Sequence, residues 1–246
     1  MVFKEESASF AVGHMALAYL LGKSSAKLLK VNLNIPLILV LSIIPDADIL
    51  LELLGVSALH RGPTHSLISA LIIFIPFFAL YRRKAVPYFL ALISHSLISD
   101  FLIGGQIMLF WPLTSRLFGL HDYIGIWSPI NITLEWALFA VSTIVMFKTG
   151  DLSLFFRNKK SNLLLMIPIG TVLLPTFVSY PLQVHILLMP PHLFYLVLFS
   201  ISVLTVIAGF MKKGWKWLLK HTYRGGVAPQ STRFERFSSA SKILYQ

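Results

Sequence analysis

Cysteine is absent from the 246-residue chain, so no disulfide scaffold and no thiolate metal site can be built from it. A metal bound here would rest on imidazole and carboxylate, the ligand set of zinc and similar borderline ions. Charge is also scarce: 13% of residues are Asp, Glu, Lys or Arg, against about 25% in a typical soluble domain. The net charge of +11 raises the question of nucleic acid. The lysines and arginines, however, sit in short clusters at the ends of hydrophobic runs. With no zinc finger, stacking platform or helix pair placed for a groove, no nucleic-acid partner is expected. No period marks an internal repeat, and no matching pair of broken helices recurs in two halves of the chain, which weighs against a secondary transporter.

What is abundant is apolar surface: 56% of the chain is hydrophobic and the mean hydropathy is +0.76. The pattern predicts an all-α, polytopic membrane bundle of about seven helices, at roughly 8–22, 35–54, 64–81, 86–110, 131–147, 163–189 and 192–211. The N-terminus imitates a signal peptide, but Glu5, Glu6 and the lack of a clear small-residue cleavage site favour a short first helix, spanning or re-entrant. Basic residues follow alternate helices: Lys23, Lys27 and Lys30; Arg82, Arg83 and Lys84; Lys148, Arg157, Lys159 and Lys160; Lys212, Lys213 and Lys216. The positive-inside rule places these connections and the C-terminus in the cytoplasm. Residues 1–220 are expected to form the integral membrane domain. Residues 221–246 read as a flexible basic cytoplasmic tail.

Ionisable residues in such a chain are expensive at membrane depth and mark sites. Four of the eight histidines and three aspartates fall in the first hundred residues: His14, Asp46, Asp48, His60, His65, His95 and Asp100. Pro45-Asp46-Ala47-Asp48 interrupts an apolar run, and proline leaves carbonyls of the preceding turn without their donor. Two carboxylates two residues apart do not share a helical face, but a locally opened segment lets both turn to one centre. In His60-Arg61-Gly62-Pro63-Thr64-His65-Ser66 the glycine and proline make a turn, and Thr64 is placed to cap the helix that follows. Arg61 offers a planar fork for phosphate or carboxylate. His95 and Asp100 are five apart, an offset of about 140° on a straight α-helix. Two ions, a ligand with a supporting carboxylate, or a helix distortion near Ser94, Ser96 or Ser99 would each accommodate them. Gly13 beside His14 permits close approach of a neighbouring backbone, and Glu135 opens a later helix. By the charge distribution, these residues converge on the extracytoplasmic side.

Read together, Gly13-His14, Pro45-Asp46 with Asp48, His60-Arg61-Gly62-x-Thr64-His65-Ser66, His95 with Asp100, Trp111-Pro112 and Glu135 resemble the YdjM-type (DUF457) family of inner-membrane proteins described as metal-dependent hydrolases. The resemblance covers about residues 10–140. It implies metal-binding roles for His14, Asp46, His60, His65, His95 and Asp100, with Asp48 and Glu135 in support. The family's ligand pattern is distantly similar to that of zinc-dependent phospholipase C enzymes. Two departures are visible: Ile49 stands where relatives often carry histidine, and Phe101 to Gly105 replaces a Thr-Pro segment.

The expectation is therefore a membrane-embedded hydrolase holding one to three zinc or other divalent ions, with Asp48 or Glu135 as proton acceptor and Arg61 meeting the substrate's charge. The expected substrate is a phosphate ester of a lipid or lipid-linked molecule. The competing expectations are a divalent-cation or proton-coupled transporter and a membrane scaffold with a structural metal.

Overall fold

The computed structural model describes residues 11–48, 61–120, 124–125, 127–178 and 184–222. His60, His121 and Asp122 lie outside them, as do residues 223–246 of the expected tail. All regular structure among the described residues is helical, apart from one antiparallel bridge between Ile107 and Phe118. The chain divides into two compact units, Met1–Val206 and Ile207–Gln246. The first contains α1 (Ala11–Leu29), α2 (Ile35–Leu41), α3 (Leu67–Tyr81), α4 (Val86–Ser94), α5 (Pro129–Lys148), the composite helix α6 (Lys160–Val178) and the opening of α7 (Met189–Thr222). The described part of the second unit is the remainder of α7, where Trp215 and Trp217 are exposed among Lys212, Lys213 and Lys216, a composition suited to a membrane interface.

Four helices among the described residues are long and apolar enough to cross a membrane: Val86–Ile103, Pro129–Lys148, Lys160–Val178 and Ile186–Leu219. This supports a multi-pass membrane protein, with four candidate spans among the described residues against about seven expected. The physical reasons lie in the first three segments. α1 reaches Leu29 and carries Lys23 and Lys27. α2 stops after seven residues, and α3 has 15, about 22 Å at 1.5 Å per residue, short of a hydrocarbon core about 30 Å thick.

The caps account for the boundaries. Asn34 accepts from the Leu37 amide to open α2, and Ser128 accepts from the Asn131 amide to open α5, with Pro129 in its first turn. The cap of α3 is Ser66, not the expected Thr64: its Oγ accepts from the Ile68 and Ser69 amides while donating to the carbonyl of Trp111 at 2.6 Å. Ser66 thereby ties the start of α3 to the 105–120 loop, which also receives the Leu67 amide at Leu109.

The main core gathers Met15 and Tyr19 of α1, Leu39 of α2, Phe155, Leu173 of α6, and Tyr195 and Phe199 of α7. α1 packs chiefly on α4 and α5. Its lysine-bearing half is held by a polar knot: Asp151 accepts from Tyr19 and Thr149, each at 2.8 Å, and pairs with Lys23. Lys23 thus belongs to the fold as well as to the charge pattern.

Candidate metal centre

Two distortions of helical backbone build the site. In a continued α-helix the Ser42 carbonyl would accept from the Asp46 amide. Pro45 has no N–H to continue that ladder, and the chain tightens into a 3₁₀ turn, Ile44–Asp48. The Asp46 amide bonds Ile43 instead, at 3.0 Å. The freed Ser42 carbonyl meets His95 Nδ1 at 2.7 Å. A carbonyl can only accept, so Nδ1 carries a proton and Nε2 is the nitrogen turned toward the carboxylates of Asp46 and Asp100.

The second distortion follows α4. His95–Gly104 is a π-helix, whose hydrogen bonds run from residue i to i+5, as the Gly105 amide to Asp100 carbonyl bond shows at 3.1 Å. Residues five apart therefore share a face. His95 Nε2 lies 3.1 Å from Asp100 Oδ2, although a straight helix would hold them about 140° apart. Of the arrangements left open by the sequence, helix distortion is the one present.

Around this pair the other side chains close in. Asp46 Oδ1 is 3.2 Å from His95 Nε2 and 3.4 Å from His65 Nε2. His65 Nε2 is 3.4 Å from Asp100 Oδ2 and 3.2 Å from His95 Nε2. The His14 ring centroid lies 4.1 Å from that of His95, with the planes tilted by 35°. Two groups of side chains have ligand atoms within 4.8 Å of one another: His14, Asp46 and His95, and His65, His95 and Asp100. His95 belongs to both. The two groups therefore meet at His95.

The donor set fits a divalent cation. His65 and His95 are fully buried and the Asp46 side chain is 15% exposed. The ion-pair partners described for Asp46 and Asp100 are histidines. Two carboxylates at such depth need positive charge close by. His14 Nδ1 is buried with no hydrogen-bond partner among the described residues, a state that calls for an unseen partner.

Asp48 stands on the far side of His65. Its Oδ2 accepts from Thr64 Oγ1 at 2.6 Å and lies 3.6 Å from His65 Nδ1, while Thr64 Oγ1 is 3.0 Å from the same nitrogen. Asp48 is therefore outside both ligand groups, in the position of a carboxylate that orients an imidazole through its other nitrogen. Thr64, read from the sequence as a cap, joins the two. Glu135 is also outside the ligand groups. Its Oε2 accepts from the Gly13 amide at 2.6 Å, and a Cβ at Gly13 would collide with the carboxylate. The neighbour that Gly13 admits is this side chain and not a backbone. The Arg61 guanidinium packs against Gly105, at the end of the π segment, and the Arg61 carbonyl accepts from the Met108 amide.

Two cavities lie near the centre, and residues of the ligand groups line the smaller. One of about 210 Å³ is walled by His14, Asp100, Glu135 and Asn131 together with Leu17, Ile98, Leu102 and Leu134. The other, of about 590 Å³, lies between α2, α3 and α4 and reaches Pro45 and Thr64. The residues missed by sequence reasoning are Ser42, whose role is a backbone carbonyl, and Asn131. Only the break at Pro45 hinted at the former.

Apolar helices around one buried His/Asp centre define a multi-pass membrane protein equipped to coordinate a metal ion. The profile of the YdjM inner membrane protein family matches residues 10–215, and the chain belongs to that family. No curated protein and no solved structure matches it.

Proposed function

We propose that this protein is a membrane-embedded, metal-dependent hydrolase acting on a phosphate ester of a lipid or lipid-linked substrate. The observation that carries the reading is the convergence of His14, Asp46, His65, His95 and Asp100 beside a cavity that two of them, with Glu135, wall directly. A structural ion needs no such cavity, whereas a reactive one needs access for water and substrate. A bound divalent ion of the zinc class would lower the pKa of water toward about 7 and polarise the phosphoryl oxygens.

The chain's own residues supply the rest. His95 is oriented by the Ser42 carbonyl, and His65 is steadied by Thr64 and Asp48. Glu135 has one oxygen fixed by Gly13, which leaves the other to take the proton of the attacking water. An oxygen–phosphorus bond forms to that water and the bond to the lipid alcohol breaks, the alcohol departing with a proton. Asp48, engaged with Thr64, is the second choice as base. Arg61 serves by fixing the turn after Asp100, since it walls neither cavity. The mouth of the smaller cavity includes Ile98, Leu102 and Leu134, each about two-fifths exposed, which suits a substrate arriving from the lipid phase.

Sidedness follows the lysines. The candidate span Val86–Ile103 starts beside Arg82, Arg83 and Lys84 and carries Asp100 near its other end. This supports a centre toward the extracytoplasmic face and a cytoplasmic C-terminus.

The test is phosphate release from hexadecyl phosphate by purified protein, with and without chelator, compared with His65→Ala. The expected result is turnover that chelation and the substitution both abolish. Metal-independent turnover, or full activity in the variant, overturns the reading.

A further inference from the structure

The larger cavity is not required to explain how the centre holds a metal, and its shape asks for an occupant. We propose that it binds one hydrocarbon chain of the lipid phosphate whose head group lies at the His/Asp centre; this rests on the hydrolase reading above. Along α3 its wall runs from Ser69 to Tyr81, about 18 Å at 1.5 Å per residue. That is the reach of one long alkyl chain, slightly more than half of a hydrocarbon core about 30 Å thick. Spread over that length, a volume of about 590 Å³ corresponds to a cross-section of about 33 Å². A groove of that length and cross-section accommodates one extended alkyl chain.

The walls agree with the volume. Leu37 and Leu41 of α2, Ile73, Phe74 and Phe77 of α3, and Leu92 of α4 give an apolar sleeve in which water would find few partners. At one end stand Pro45 and Thr64, the immediate neighbours of Asp46 and His65. Asn32, Asn34 and Lys84 stand at the other. A chain lying in the sleeve therefore brings its phosphate to the Pro45 and Thr64 end, one residue from Asp46 and His65.

The two cavities share no lining residue. One lies near the centre at Pro45 and Thr64, and the other is walled by His14, Asp100 and Glu135. Phosphoryl transfer sets the attacking and departing oxygens roughly in line. Under this assignment water is activated on the Glu135 side, and the lipid alcohol, once protonated, remains in the sleeve until it slides back to the bilayer. The enzyme then selects its substrates by chain length.

The experiment measures binding of hexadecyl phosphate and butyl phosphate to zinc-loaded protein in detergent. The forms compared are wild type, Ile73→Trp, Ala70→Leu, and Leu71→Trp, the last outside the cavity wall. The expected result is at least tenfold tighter binding of hexadecyl than of butyl phosphate by wild type. Ile73→Trp and Ala70→Leu should reduce that preference at least fivefold with metal content unchanged, and Leu71→Trp should retain it. Ile73 is exposed at the rim, so its substitution does not test the core. Equal binding of the two phosphates by wild type overturns the assignment, as does an unchanged preference in Ile73→Trp. Butyl phosphate hydrolysis by wild type separates the two claims. Turnover without chain preference removes the sleeve and leaves the hydrolase. Chain preference that Ile73→Trp abolishes, without turnover of either phosphate, keeps the sleeve and removes the hydrolase.

Discussion

Gly13→Ala is a substitution whose sign the structure predicts against the ordinary rule. Gly13 lies in α1, where alanine is normally favoured over glycine by up to about 1 kcal/mol. Here a Cβ would overlap the Glu135 carboxylate, and the Gly13 amide donates to Glu135 Oε2 at 2.6 Å. The carboxyl group is buried, so stepping aside means moving into the cavity it walls and giving up its bond to the Gly13 amide. Leaving a buried donor and acceptor unpaired costs about 1–3 kcal/mol. After subtracting the helix gain, Gly13→Ala should destabilise by about 1–2 kcal/mol. Chemical denaturation in mixed micelles reads this directly. In a Glu135→Ala background the obstruction is gone, so the same change should turn neutral or stabilising, and the coupling in the double-mutant cycle should exceed about 1 kcal/mol. Stabilisation by Gly13→Ala in the otherwise unchanged protein would refute the packing of Glu135 on α1 and with it the proton-acceptor assignment.

Other outcomes follow from the same geometry. Thr64→Val removes the link between Asp48 and His65 and should weaken metal affinity about 10–100-fold, with Thr64→Ser restoring most of it in a metal-competition titration. Asp151→Ala strips the acceptor shared by Tyr19, Thr149 and Lys23 and should cost about 2–3 kcal/mol of stability with metal content unchanged, measured by denaturation and elemental analysis. Chelation should lower the thermal midpoint of wild type, since the ion binds only the folded centre, and should leave that of His95→Ala unmoved.

The sequence made the residue set of the centre visible because histidine and aspartate are rare in apolar runs and conspicuous there. It made Pro45 visible as a break, and with it the possibility that the local chain opens. It could not show that the break frees the Ser42 carbonyl for His95, because that partner is backbone and lies far along the chain. The π-helix after α4 was equally hidden: Ser94, Ser96 and Ser99 allow a distortion without dictating its period, and only the period places Asp100 over His95. Thr64 and Ser66 are both acceptable caps by type, and tertiary contact with the 105–120 loop decides for Ser66. Hydropathy reads apolar content without the helix ends that lie near Leu29, Ser42 and Arg82 among the described residues. His60, singled out as a ligand, lies outside the described residues.

The central claim is that His14, Asp46, His65, His95 and Asp100 hold a divalent ion. Elemental analysis joined to X-ray absorption on protein purified without added metal tests it most directly. The account predicts a stoichiometric zinc-class ion with nitrogen and oxygen ligands at about 2.0–2.2 Å, lost in the His95→Ala, Asp100→Ala double variant while the chain stays folded. Protein that carries no divalent ion and takes none up on addition, or a variant that keeps its ion with an unchanged spectrum, would contradict it.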